Sequence, residues 1–318
     1  MEVSIVIPVY NEEDNLPILY DELYNVLNKE VIDYEIIFVN DGSTDNSLQI
    51  LKGIAKSNEK VKVISFTRNF GQSAAMNIGI KYSRGDIIVF LDSDLQNNPR
   101  DIPIFIQKIK EGYDIVVGWR QNRKDPFFTK VLPSKIANFI IRKITRMNIH
   151  DFGCTLKAFK KEAITNINLY GELHRFIAAL AIWNNNSYIE VPVEHRPRKY
   201  GKSKYNLFRT FKVILDVLNI SFIKGYKLKP SYIFGGIGLI FLAIGFVFFL
   251  ITAYRVLILK HLEATPVVFL MVVFFSGGIQ AIFIGLLAEL IINLHLQQGI
   301  TQTAEIKELI NFKDGKNV

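Results

Sequence analysis

Two stretches of this chain carry no charge at all. Every position from Pro230 to Tyr254, and again from Ala264 to Ala288, is uncharged, 25 residues in each case. A helix needs about 20 apolar residues to cross the hydrocarbon of a bilayer, and the core helices of soluble proteins rarely run so far without a charged side chain. The reading is a pair of transmembrane helices, at 230–254 and 264–292, behind a large polar domain. The opening MEVSIVIPVYNEE has no basic region ahead of its apolar residues, so it is expected to belong to the folded domain and not to a signal peptide.

The basic residues set an expected orientation. Arg198, Lys199, Lys202, Lys204, Arg209, Lys212, Lys224, Lys227 and Lys229 precede the first span, whereas Arg255 and Lys260 are the basic residues between the spans. That asymmetry places residues 1–200, a basic juxtamembrane segment 201–229 and a tail 293–318 in the cytoplasm, in a multi-pass protein of the inner (plasma) membrane. The formal charge of +8 crowds near the spans, so the expected anionic partner is the membrane surface and not nucleic acid. Residues 127–147 and 205–223 mix apolar and basic positions, which fits amphipathic helices in the membrane interface and equally fits ordinary helices packed on a sheet. The tail 303–312 reads as a short helix. With a single cysteine, Cys154, the chain has no intrachain disulfide and no Cys-rich metal site.

Before the spans, short apolar runs alternate with helical spacing. Ser4–Ile7, Glu35–Val39, Val61–Ile64, Ile87–Phe90 and Asp114–Val117 read as strands, with helices such as Asn15–Leu27 and Ser47–Ala55 between them. The fold class is therefore α/β, a mostly parallel Rossmann-like sheet. Ligands in such sheets bind at the carboxyl ends of the strands. Four of these runs end in PVYNE, NDGS, RNFG and DSD, which brings polar groups to one crevice.

Asp92 and Asp94 flank one serine at the end of the fourth run. Two carboxylates so close do not both stay ionised cheaply without a cation. A hard ion such as Mg²⁺ or Mn²⁺ takes oxygen ligands and shares them with substrate phosphates, and Gln96 adds an amide oxygen. Alone, the pattern also fits a solvated turn or a cap before Pro99. A dinucleotide site would need Gly-x-Gly-x-x-Gly after the first strand, where this chain has PVYNEEDN.

PVYNEEDN, VNDGSTDNS, RNFGQSAAMNIG, FLDSDLQ and DFGCTLKAF, in that order, resemble the family 2 glycosyltransferases of the GT-A fold, and more narrowly the polyisoprenyl-phosphate glycosyltransferases, which include dolichyl-phosphate mannose synthases and bactoprenol glucosyltransferases. The resemblance implies nucleotide-sugar contacts from Pro8, Tyr10, Glu12, Asp41 and Asp92, and a metal on Asp92, Asp94 and Gln96. It implies a catalytic group of Asp94, Asp151 and Arg120, with Asp151 serving as a base or orienting an arginine. Cations to hold an acceptor phosphate are expected from Arg123, Arg142, Arg198, Lys202 and Lys204, with Ser203 among them; a membrane-flanking role explains the last of these equally well. His174 and Arg175 match a further family segment, and Cys154 is expected to be a small buried residue.

The expected reaction is metal-dependent, inverting transfer of a hexose to a polyprenyl phosphate. UDP-glucose is the expected donor, with GDP-mannose or a modified pentose on UDP as alternatives and an inactive membrane scaffold as the reading from another class. Gly235, Gly236, Gly238, Gly277, Gly278 and Gly285 would let helices approach closely, so a homo-oligomer through the spans is expected.

Overall fold

The computed structural model describes residues 1–30, 32–121, 138–139, 141–142, 147–167, 169, 171, 173–183, 186–197, 230–260, 266–298 and 304–312. All of the 201–229 segment, with the expected interfacial helix 205–223, and most of the expected helix 127–147 lie outside the described residues, as do Arg123, Arg198, Lys202, Ser203 and Lys204. The chain divides into two compact units, Met1–Val217 with Gln302–Val318, and Leu218–Thr301.

The first unit is built on β1 (Val3–Val9), α1 (Leu16–Lys29), β2 (Tyr34–Asn40), α2 (Ser47–Ser57), β3 (Val61–Phe66), α3 (Gln72–Tyr82), β4 (Ile87–Phe90), α4 (Ile102–Lys110) and β5 (Ile115–Trp119), followed by β6 (Lys157–Lys160), β7 (Tyr188–Pro192) and β8 (Ile306–Ile310). One sheet of eight strands runs in the order β7-β5-β6-β4-β1-β2-β3-β8. The β3-β2-β1-β4 core is parallel, and β6 and β8 run against their neighbours. All five strands read from the sequence are present, and the doubly wound, mostly parallel sheet is the architecture that was expected.

Periodicity explains the packing. Leu16, Leu19, Leu23 and Leu27 fall on one face of α1 and are all fully buried, each contributing roughly 1.5–3 kcal/mol relative to exposure. All seven residues of β2 are buried, as a strand covered on both faces requires. One of them is Glu35. Burial alone would raise its pKa, but the Lys62 ammonium, the Ser4 hydroxyl and the Arg84 N–H all engage its carboxylate and bring it below the ordinary value.

The tail is a strand and not a helix. Ile306, Leu309 and Ile310 in EIKELI suit one helical face, which is why periodicity misled. What decides is the edge of the sheet: β3 would otherwise present unpaired N–H and C=O groups, and β8 pairs with it antiparallel, Val63 opposite Ile310 and Ser65 opposite Glu308.

The second unit contains two helices, Pro230–Leu259 and Pro266–Gln298, each with a segment long and apolar enough to cross a membrane, and most of their large apolar side chains are exposed. They pack on each other through glycine. A Cβ on Gly238 would lie 2.6 Å from Ile282 and 2.7 Å from the Gly278 carbonyl, and Gly245, Gly278 and Gly285 are similarly occupied. Those glycines thus serve the intrachain contact, leaving Gly235 and Gly236 facing open space. Ser231 donates a hydrogen bond to the Glu289 carboxylate, pairing the charge at the end of the second span.

Candidate active site

The loops after β1 and β2 are stitched together. Asn11, at φ 57°, donates its N–H to Ser43 Oγ at 3.0 Å and accepts the Thr44 N–H at 2.8 Å, while the Glu12 N–H reaches Ser47 Oγ at 2.9 Å. The Glu12 carboxylate accepts from Asn15 at 2.5 Å. These contacts fix the segment carrying Pro8, Tyr10 and Glu12 against the end of β2.

Asp41 follows directly. It is 3% exposed, and its two carboxylate oxygens accept the N–H groups of Phe70 and Gly71 at 2.7 and 2.9 Å. Gly42 beside it has φ +66°, and a Cβ there would lie 2.4 Å from the backbone carbon of Arg68. Only glycine lets the loop after β3 come this close. The Arg68 guanidinium lies 4.6 Å from the centre of the Phe70 ring.

Asp92 and Asp94 stand where β4 ends. Asp92 is oriented by Gln72 at the start of α3 (2.8 Å) and by Thr155 Oγ1 (2.5 Å). Ser93 donates to the Pro8 carbonyl at 3.0 Å, tying this turn to β1. Asp94 accepts the Gln96 N–H at 3.1 Å across Leu95, a buried non-glycine residue held at φ 61°. Among the described residues no three His, Cys, Asp or Glu side chains gather. The hard oxygens of Asp92, Asp94 and Gln96 nevertheless suit Mg²⁺ or Mn²⁺, which is commonly held by one or two carboxylates plus substrate phosphates.

The fifth strand delivers Arg120. Its Nε and Nη2 donate to the two oxygens of Asp151 at 2.7 and 2.9 Å, a fork-on-carboxylate pair. Gly153 N–H also donates to Asp151 (3.2 Å), and Asp151 is 4% exposed. Beside it, Trp119 stacks on His150 with centroids 4.4 Å apart, and His150 Nδ1 is 2.7 Å from Glu190. Arg142 falls between Arg120 and Asp151 in the chain, and its Nε is buried without a hydrogen-bond partner among the described residues.

Several contributors escaped the sequence reading. Gln72 and Thr155 orient Asp92, yet lie 20 and 63 residues from it. Lys157 is buried and donates to the carbonyls of Phe152 and Cys154, which shapes the loop after Asp151. Burial pushes its pKa down, and it feels the charges of Asp151, Arg120 and Asp92. Cys154 is buried as expected, and burial pushes its thiol up to about 11. His174 Nδ1 meets Ser73 Oγ at 2.9 Å. Beyond β7, the Asn97–His195 bridge and the Arg196 N–H to the Gln96 carbonyl (2.9 Å) attach the start of the basic segment to the Asp94–Gln96 turn.

A mostly parallel sheet with paired carboxylates at the end of one strand has the architecture of the GT-A glycosyltransferase fold. The sequence matches the model of "Glycosyl transferase family 2" over residues 4–167, just over half of its length. The chain belongs to that family and is a glycosyltransferase. It is 35% identical to a dodecaprenyl-phosphate galacturonate synthase of Rhizobium johnstonii, over 98% of this chain and 94% of that protein. It is 34% identical to an undecaprenyl-phosphate 4-deoxy-4-formamido-L-arabinose transferase of Proteus mirabilis, over 91% of this chain and 88% of that protein. Glucosyl-3-phosphoglycerate synthase of Mycobacterium tuberculosis, solved with Mn²⁺ and UDP-glucose, shares the fold at a TM-score of 0.55 and 19% identity, over 69% of this chain and 78% of that one. The same protein has been solved with Mg²⁺ and UDP, at a TM-score of 0.54 and 19% identity, over 69% of this chain and 78% of that one.

Proposed function

We propose that this protein transfers a sugar from a nucleoside diphosphate to the phosphate of a membrane polyprenol, inverting the anomeric centre. The observation that carries it is that β4 and β5, paired on either side of β6 with Phe90 and Val117 both opposite Lys157, end at one edge of a family 2 domain with the Asp92–Ser93–Asp94 turn and the Arg120–Asp151 pair, in a chain that also holds two span-length apolar helices. The near full-length relatives named for polyprenyl phosphates support the acceptor.

The acceptor oxygen attacks the anomeric carbon as the bond from that carbon to the diphosphate breaks, and the electron pair leaves with the nucleoside diphosphate. A phosphate monoester with a second pKa near 6 is already ionised at neutral pH, so positioning matters more than a strong base. Asp151, with both oxygens held by Arg120, is the orienting residue, and Arg120 is the cation beside the incoming phosphate. Asp41, Glu12, Tyr10 and Pro8 line the nucleoside subsite. A divalent cation on Asp92, Asp94 and Gln96 would neutralise charge on the leaving diphosphate.

Residues on both sides of the helix pair belong to one compact unit, which requires an even number of crossings. With the basic segment 198–229, this supports a cytoplasmic catalytic domain and tail. For the sugar, the full-length relatives carry a galacturonate and a formamido-arabinose in their names, whereas the glucose-binding neighbour shares the fold at 19% identity. We therefore rank a UDP-linked uronic acid or modified pentose ahead of glucose. The test offers purified protein dodecaprenyl or undecaprenyl phosphate, Mn²⁺ and radiolabelled UDP-galacturonic acid, UDP-4-deoxy-4-formamido-L-arabinose, UDP-glucose or GDP-mannose separately. Lipid-extractable label from a UDP sugar supports the reading; label from GDP-mannose alone corrects the donor, and none from any donor across both acceptor chain lengths, dodecaprenyl and undecaprenyl, overturns it.

A further inference from the structure

The C-terminal strand has no place in the chemistry above, yet it touches the loop that shapes the donor pocket. After the β3–β8 ladder, which shifts register between Ser65 and Phe66, the Thr67 N–H donates to the Glu305 carbonyl at 3.0 Å and its hydroxyl to the Glu305 carboxylate at 3.2 Å. The next residues, Arg68 and Asn69, run along Gly42 so closely that no Cβ fits, and the two after them, Phe70 and Gly71, give both their N–H groups to Asp41. The five residues Thr67–Gly71, hydrogen-bonded to Glu305 at one end and to Asp41 at the other, thus link the tail to the carboxylate of the nucleoside subsite.

The far end of the tail is fastened independently. Asn311, at φ 64°, donates from its side chain to the carbonyls of Ala55 and Val61 at 2.7 and 2.8 Å. Phe312 packs edge-on against Tyr82 with ring centroids 5.3 Å apart, and the Lys62 ammonium lies 5.2 Å from the same ring. A segment that only covered a sheet edge would need its ladder and nothing more. This one is anchored at one end to the junction of α2 and β3 and at the other to the loop that holds Asp41.

We propose that the strand Ile306–Ile310 is a strap of the donor site, holding the Thr67–Gly71 loop in the conformation that presents Asp41 and so setting the affinity for the nucleotide. The inference rests on reading the Asp41 pocket as the nucleoside subsite. Loss of the strap leaves that loop correctly placed in a fraction of molecules, and apparent affinity falls by that fraction.

The test is calorimetric titration of UDP and of GDP, each with Mn²⁺, into the full chain in detergent and into two variants. Lys307→Pro removes the strand N–H that faces β3 next to the Thr67–Glu305 bond, because that bond flanks the non-hydrogen-bonded pair Phe66–Ile306, while Asn311 and Phe312 keep the far end docked. Truncation after Thr303 removes the strap altogether, and a synthetic peptide of residues 304–318 is then added back. The expected result is a loss of affinity of about tenfold in Lys307→Pro, for a competent fraction near one tenth, with kcat at saturating donor and the KM for the lipid acceptor unchanged, and recovery of the truncated chain on addition of the peptide. Equal affinity in the full chain and in folded Lys307→Pro overturns the strap and leaves the nucleoside subsite standing. If the full chain binds neither nucleotide, the subsite reading fails and the strap with it. A truncated chain that does not fold leaves Lys307→Pro as the deciding variant.

Discussion

Replacing Asp151 by Asn separates two roles that a carboxylate near an acceptor could play. In the structure both oxygens of Asp151 are taken by the Arg120 guanidinium, at 2.7 and 2.9 Å, with a third donor from Gly153. Breaking a buried ion pair by removing one partner costs about 3–5 kcal/mol. The Arg120 side chain retains 14% exposure, so the lower end, about 3 kcal/mol, is the estimate for Asp151→Ala. Asn keeps the shape and one acceptor oxygen, and about half of that loss is expected. The effect on rate comes through Arg120: a cation displaced by about 1 Å from the acceptor phosphate costs on the order of 100-fold in kcat. The assay is the pH profile of lipid-linked product formation from pH 5 to 9. If Asp151 orients Arg120, the Asn variant is about 100-fold slower but keeps the acid limb near pH 6 that belongs to the acceptor phosphate. Arg120→Lys, which cannot make the forked contact, shows the same signature. An Asp151→Asn enzyme that loses the acid limb while Arg120→Lys retains full rate would refute the reasoning and make Asp151 the base.

Asp94→Ala is expected to lower turnover at least about 10³-fold while the melting temperature stays within a few degrees, because Asp94 caps the Gln96 N–H within its own turn; a fully active variant would remove Asp94 from the mechanism. Gly42→Ala places a Cβ 2.4 Å from the Arg68 backbone at φ +66°, and donor KM should rise together with a loss of about 2–4 kcal/mol in unfolding free energy, read by chemical denaturation of the full chain in detergent. Asp114 is held at about 2, chiefly by the Lys160 ammonium, below its ordinary 3.8. Its folded-state pKa is depressed, so its contribution is present above pH 4 and lost as pH falls towards 2. Allowing for its 27% exposure, Asp114→Asn should cost about 1 kcal/mol at pH 7 and nothing at pH 2. Gly238→Leu, which would overlap Ile282 and the Gly278 carbonyl, should cost about 1–3 kcal/mol of helix-pair stability in detergent, measured by thermal unfolding.

The candidate site was legible where chemistry and strand ends coincide in the sequence. Apolar runs that stop at PVYNE, NDGS and DSD announce the crevice, because a parallel strand buried on both faces reads as a continuous apolar string and its end is abrupt. The short outer strands were not legible. β6 is KAFK and β7 is YIEVP, each a few residues of mixed polarity, and their existence depends on neighbours supplied from far along the chain. The tail was misread for the same reason, since EIKELI satisfies a helical face and an edge strand alike, and only β3 chooses between them. The supporting contacts of Asp92 were hidden because Gln72 and Thr155 lie 20 and 63 positions from it, whereas the Arg120–Asp151 pair joins two residues that the family resemblance already groups.

What no residue pattern announced is the strain. Asn11 and Leu95, neither of them glycine, hold φ at 57° and 61°, and they stand immediately before Glu12 and immediately after Asp94. A side chain in this region costs about 1–2 kcal/mol, and such conformations persist only where surrounding structure over-determines them. That structure is visible: Asn11 is pinned by Ser43 and Thr44, and the Leu95 turn by Ser93 on the Pro8 carbonyl and by Arg196 on the Gln96 carbonyl. The two turns are also joined to each other through Pro8. Stability is therefore spent to hold Glu12 and Asp94 in place before any substrate arrives, which is the arrangement expected where catalysis depends on charged groups that do not reorganise during the reaction. Ser93→Ala would remove the shared link while leaving both carboxylates intact. A drop in kcat with unchanged nucleotide affinity would show that the link between the turns serves the reacting geometry, and an unchanged kcat would show that each turn is held by its own contacts.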